Sequence, residues 1–190
     1  MISHEHRWAW AAINKTATTS IASILSKRCE TGGLKDKHQS MAEIQEVLTP
    51  GQFDDYFKFS FVRDPWDRIA SLYFYRTRRS RNIEKSFERW LQHQWKLIRR
   101  GMADKYILAQ TEWLKGRDGK IVVDFVGRFE NLDNDWGKIC DNIGIRTIQL
   151  PMKKVGKKHG SVYRDFYTDR SLKIHKKMYG EDIDYLGYTF

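Results

Sequence analysis

Two short stretches of the chain gather the residue types that hold an anion. In the first, Asn14-Lys15-Thr16-Ala17-Thr18-Thr19-Ser20, one cation and four hydroxyls fall within seven residues. An apolar run, residues 7–13 (RWAWAAI), comes before it, and Ile21, Ile24 and Leu25 follow at helical spacing. The turn therefore leads from a strand into a helix. Helix-start N–H groups and the helix dipole attract phosphate at such a position. The hydroxyls add donors, and Lys15 adds a mobile point charge. A kinase-type phosphate loop needs GxxxxGK[ST]; here AWAAIN stands before Lys15, and that motif is absent. The plainer reading of these residues is a Thr-capped helix beside a surface lysine.

The second stretch runs Phe59-Ser60-Phe61-Val62-Arg63-Asp64-Pro65-Trp66-Asp67-Arg68-Ile69-Ala70-Ser71-Leu72-Tyr73. It starts in an alternating aromatic segment, residues 56–62 (YFKFSFV), that reads as a strand. Asp64 and Pro65 then make a favoured helix start, with Asp at the N-cap and Pro in the first position. Arg63 thus ends a strand, and Ser71 lies on the helix that follows. Arg offers a fork matched to phosphate oxygens and Ser a short-range donor, so both can converge on an anion beyond the strand. The alternative is an Arg63–Asp67 pair and a solvated Ser71.

The other elements must position these turns. Ser40 caps a helix through Leu48, with Glu43 in the capping-box position. Phe87, Trp90, Leu91, Trp95 and Ile98 mark an amphipathic helix. Residues 120–126 (KIVVDFV) read as a strand. Leu132, Trp136, Ile139, Cys140 and Ile143 mark a helix ending at Gly144, and a last helix covers about 168–179. Strands alternating with helices predict an α/β layer fold with a largely parallel sheet. Ligands of such sheets bind beyond the carboxyl ends of the strands, where both turns lie. A length of 190 residues with no linker and no repeat fits a single domain, 1–190.

The excess of 34 Lys+Arg over 24 Asp+Glu, a net charge of +10, predicts attraction to nucleic acid, an anionic membrane, a charged glycan or a polyphosphorylated cofactor. The bases are spread over residues 76–81, 99–100, 153–159 and 173–177, so charge alone does not choose among these. Cys29 and Cys140 are far apart and lack CxxC spacing; Cys140 falls on the apolar side of its helix, as a buried thiol does. No run approaches the roughly 18 apolar residues of a membrane span, and no signal-peptide core is present. A cytoplasmic location is the expectation. No cluster has metal-ligand spacing, and no metal is expected.

Together the two turns resemble the sulfotransferases that use 3′-phosphoadenosine 5′-phosphosulfate (PAPS), in the family 2 group of carbohydrate sulfotransferases of the Golgi and their bacterial relatives. The first is similar to that family's PKTxxTS loop and the second to its RDPxxRxxSxY motif. The resemblance continues through Gln110-Thr111-Glu112-Trp113-Leu114, Val126-Gly127-Arg128-Phe129-Glu130-Asn131-Leu132 and Tyr163-Arg164-Asp165-Phe166-Tyr167. It ends with Glu181-Asp182-Ile183 and Leu186-Gly187-Tyr188, so it covers nearly the whole chain. It implies a P-loop-like three-layer fold with a central, largely parallel sheet flanked by helices. It also implies that Lys15, Thr16, Ala17, Thr18, Thr19 and Ser20 hold the 5′-phosphosulfate, and that Arg63 and Ser71 hold the 3′-phosphate. The basic residues 153–159 resemble the family's late loop over the nucleotide, with Lys157 and Lys158 the nearest candidates; their plain reading is a solvated charge run. Asn14 stands where the family usually has Pro. Asn tolerates tight turns, which implies retained binding in a less rigid loop.

The implied reaction is an in-line transfer of a sulfuryl group to an acceptor hydroxyl, leaving adenosine 3′,5′-bisphosphate (PAP). Positioning and charge stabilisation supply most of such catalysis, and Lys15 can neutralise the phosphate oxygen that leaves. His38, where family members often carry a histidine, is the chosen base; Glu43 and Glu46 are substitutes, and a surface histidine beside Lys35 and Lys37 is the plain reading. His175 reads as structural. The resemblance favours a carbohydrate hydroxyl, with protein tyrosine and small metabolites open, and neither nucleic acid nor a membrane span as partner. Two other classes compete: a P-loop nucleotide kinase, which needs the missing glycines, and a non-enzymatic basic heparin- or nucleic-acid-binding module. The latter explains the charge but not the paired turns.

Overall fold

The computed structural model describes residues 1–29, 38–78, 86–151 and 163–190; Lys157 and Lys158 lie outside the described residues. The first elements are β1 (Ile2–Ser3), β2 (Trp8–Ala11), α1 (Thr18–Leu25), α2 (Met41–Gln45), α3 (Pro50–Asp55) and β3 (Phe57–Val62). Next come α4 (Pro65–Thr77), α5 (Phe87–Arg99), α6 (Gln110–Leu114) and β4 (Phe125–Arg128). Then follow α7 (Leu132–Asn142) and α8 (Asp169–Leu186). The chain divides into two compact units: Met1–Arg63 with Thr111–Lys154, and Asp64–Gln110 with Val155–Phe190.

The first unit carries the sheet, in the order β1-β2-β3-β4. Strands β2, β3 and β4 are parallel, and β1 pairs antiparallel with β2. Ala11 sits opposite Ser60 and Val62 opposite Arg128, so the turns after the three parallel strands leave from one edge. Alternation along the strands sorts side chains onto two faces. Trp8, Trp10, Phe59 and Phe61 pack with Ile21 and Leu25 of α1 and with Trp136 and Ile139 of α7. Ala9 and Ala11 face the other way, toward Met41 and Ile44 of α2 and Phe53 of α3. Both faces are covered, which is why residues 8–13 read as one apolar run and are all buried. The unit is thus a three-layer α/β arrangement with a central, mostly parallel sheet.

Two local expectations need correction, and a third needs extension. Residues 120–126 are not one strand: only Phe125–Arg128 pairs with β3. Lys115 bridges Ile121 instead, closing a small turn with left-handed Gly119 (φ 76°). Asp124 then locks the start of β4, its N–H donating to the Lys58 carbonyl (2.7 Å) and its Oδ2 accepting from the Lys58 N–H (2.7 Å). The Ser40 helix has its capping box with Glu43 but stops at Gln45, and α3 begins at Pro50 under its own Thr49–Gln52 capping box. The last helix breaks near 179, as its pattern predicts, but a second helical segment follows it. At Tyr179 its backbone departs from helical values (φ −131°, ψ 22°), and α8 continues to a left-handed Gly187 (φ 67°).

In the second unit α4 starts as Asp64-Pro65 predicts, with Asp64 Oδ1 accepting from the N–H groups of Trp66 (2.9 Å) and Asp67 (3.0 Å). Tyr73 packs against Phe87 and Trp90 of α5. Arg68 is fully buried and donates from Nη2 to the Leu108 carbonyl (2.5 Å) and from Nη1 to that of Tyr106 (3.4 Å). Burial pushes its pKa below the usual arginine value, against the pull of Tyr179 and Asp182. Buried Asp182 of α8 accepts from the Gln110 N–H at 2.7 Å. His175, fully buried on α8, donates from Nε2 to the Pro65 carbonyl (3.2 Å) and stacks on Trp66. Burial lowers its pKa from 6.5 to about 3, so the structural reading of this histidine holds.

Candidate active site

The turn after β2 has a backbone that its residue types do not advertise. Lys15 (φ 69°) and Ala17 (φ 61°, ψ 16°) are both left-handed, while Asn14 and Thr16 are not. For residues with a Cβ that conformation costs on the order of 1–2 kcal/mol each. Alternation of hand along a turn aims successive N–H groups into one concavity, the geometry of an anion nest. Ala17 is also the N-cap of α1 and gives it no side-chain acceptor. The first turn of that helix therefore carries N–H groups with no side-chain cap and the positive end of the dipole.

Two of the four hydroxyls have other work. Thr16 and Thr18, both buried, donate to the same Ile13 carbonyl at 2.7 and 2.6 Å. A hydroxyl has one proton to give, so these side chains brace the loop from inside, and what they offer outward is backbone. Lys15, Ala17 and Thr19 are half-buried, and Ser20 is buried.

Arg63 projects one residue beyond β3. Its Nη1 donates to the Lys15 carbonyl at 3.2 Å, which ties the second motif to the first. Its guanidinium lies over the ring of Phe129, 4.1 Å from the centroid. Phe129 is one residue beyond β4, and the pairing of Val62 with Arg128 makes the two residues neighbours off adjacent strands. Buried Asp135 of α7 fixes that turn, accepting from the Arg128 N–H (2.9 Å) and from Asn131 Nδ2 (3.1 Å).

His38 belongs to the same unit. Its Nδ1 lies 2.7 Å from the Ala12 carbonyl, just before the Lys15 turn. A carbonyl only accepts, so Nδ1 carries the proton and Nε2 is the basic nitrogen of the neutral ring. Glu43 Oε2 is engaged by the Ser40 N–H (2.7 Å) and hydroxyl (3.1 Å), and Glu46 is exposed just past α2.

The second motif splits by role in the second unit. Asp64 caps α4 with one oxygen and accepts from the Tyr163 hydroxyl with the other (2.8 Å), while the Tyr167 hydroxyl donates to the Trp66 carbonyl (3.0 Å). Arg68 and Tyr73 are core residues. Ser71 is half-buried on α4.

A profile of the sulfotransferase family matches residues 1–189. The chain belongs to the sulfotransferase family. An uncharacterized protein of Archaeoglobus fulgidus is 35% identical over 94 residues, covering 49% of this chain and 72% of that protein. No solved structure matches it. Members of the family generally use PAPS as donor.

In this sulfotransferase, sequence reasoning found the turns but missed three parts of them. The left-handed Lys15 and Ala17 are hidden because only glycine and asparagine announce such a backbone. Phe129 and Asp135 are hidden because their partners come from other strands and helices; the one signal was the run Val126-Gly127-Arg128-Phe129-Glu130-Asn131-Leu132. Within that run Gly127 is required by packing, since a Cβ there would fall 2.5 Å from Phe61 Cε1. Among the described residues no group of three or more His, Cys, Asp or Glu could hold a metal, and no helix is long and apolar enough to cross a membrane. Cys140 is a buried free thiol whose pKa is raised by burial.

Proposed function

We propose that this sulfotransferase moves the sulfuryl group of PAPS to an acceptor hydroxyl, in the first place a carbohydrate hydroxyl, and that residues 1–190 work as one domain. The observation that carries the reading is the 3.2 Å bond from Arg63 Nη1 to the Lys15 carbonyl, which joins two anion-binding motifs at the carboxyl edge of a parallel sheet. The turn at Lys15, Thr16, Ala17, Thr18, Thr19 and Ser20 takes the 5′-phosphosulfate, largely through backbone N–H groups. Arg63 takes the 3′-phosphate, the role the family resemblance gives it, through a guanidinium fork matched to phosphate oxygens. Ser71, Lys157 and Lys158 keep the nucleotide-binding roles that the family resemblance implies.

In the transfer step the acceptor oxygen forms its bond to sulfur as the bond from sulfur to the 5′-phosphate oxygen breaks. The acceptor proton goes to His38 Nε2, and the electron pair leaves on PAP, where Lys15 offsets the new charge. The donor half is tested by comparing affinities for PAP and ATP by calorimetry. Tighter binding of PAP, lost in Lys15→Ala, supports the reading; preference for ATP defeats it.

A further inference from the structure

Two contacts among the described residues help hold Arg63 in place. Its Nη1 bonds the carbonyl of Lys15, a residue in the costly left-handed region. Its plane rests on Phe129 at 4.1 Å. A stacked guanidinium keeps its donors in one orientation, and the stack itself is attractive. The Phe129 ring is in turn held by the ties of Asp135 to Arg128 and Asn131 on either side of it.

We propose that Phe129 is a positioning residue for the anion loop. Its ring holds Arg63 flat so that Nη1 stays on the Lys15 carbonyl and fixes the left-handed turn before any nucleotide binds. The proposal rests on reading that turn as the site of the 5′-phosphosulfate. It assigns Arg63 a second task, bracing the loop as well as contacting a phosphate.

The clamp is tested first without ligand, in proton–nitrogen spectra of the arginine side chains, with Arg63 identified by its loss in Arg63→Lys. Ring-current shielding by Phe129 displaces the Arg63 signal from the other arginines. The signal returns toward them in Phe129→Leu and stays displaced in Phe129→Tyr. An Arg63 signal unmoved by Phe129→Leu overturns the proposal. PAP affinity supplies the second readout. Phe129→Leu weakens it roughly fivefold, in the range for such contacts, and Phe129→Tyr restores it to within about twofold. Because Phe129 acts through Arg63, Phe129→Leu added to Arg63→Gln costs nothing beyond Arg63→Gln alone. Additive losses overturn the proposal as well. If the wild-type protein does not bind PAP, the nucleotide reading fails, while the ligand-free spectra still decide the clamp.

Discussion

Lowering the pH should destabilise this protein through one histidine, His175. Its imidazole is fully buried on α8, stacked on Trp66 at 5.2 Å, and has Pro65 as the carbonyl acceptor for Nε2. Nδ1 has no partner among the described residues, so a second proton there would be buried unpaired. The unfolded chain titrates this group at the ordinary 6.5, the folded chain at about 3. Between those values the unfolded state binds more protons, so stability falls as pH falls through that window and is unaffected above it. Each pH unit below 6.5 costs up to about 1.4 kcal/mol, or about 2 kcal/mol by pH 5. Urea unfolding from about pH 7.5 to 5, before most carboxylates protonate, measures it. The control is His175→Gln, whose amide can still donate to the Pro65 carbonyl but takes up no proton. His175→Gln lowers stability overall but flattens the dependence on pH. Equal slopes for the two proteins between pH 6.5 and 5 would refute the argument.

Three substitutions extend the account. Gly127→Ala brings a methyl 2.5 Å from the buried Phe61 ring and should cost about 1–3 kcal/mol of stability; the urea midpoint checks it, and Phe61→Leu in the same chain should recover part of the loss. Arg63→Ala removes a charge-assisted phosphate contact and the brace on Lys15, and calorimetry should find PAP binding weaker by about 1.5–3 kcal/mol. His38→Gln should lower turnover by about a hundredfold or more while PAP affinity stays within about twofold; unchanged transfer would assign the base elsewhere.

Local chemistry made much of the fold legible. Asp64 and Pro65 start α4 because a short acceptor and a preset φ suffice there, whatever surrounds them. The Ser40–Glu43 box is equally self-contained. The alternation Trp8, Trp10, Phe59, Phe61 against Ala9 and Ala11 carries the sheet and its two covered faces. What failed depended on partners distant in sequence. Ile121, Val122 and Val123 have the composition of a strand, yet pairing with β3 begins only beyond the Lys58–Asp124 bonds. The helical segment that resumes beyond the break at Tyr179 and stops at left-handed Gly187 was likewise not read from the sequence. At the site, Lys15 and Arg63 were visible by type and spacing. Their contact was not, because it follows from β2 and β3 being adjacent and in register.

The central claim is sulfuryl transfer from PAPS, and the most direct measurement follows a sulfur-35 label from PAPS onto a panel of glycans, peptides and small alcohols. The account predicts label on an acceptor hydroxyl with an equal amount of PAP formed, and at least about a hundredfold less transfer with Lys15→Ala. Label that never leaves PAPS across the panel, together with transfer of the terminal phosphate of ATP, would contradict it.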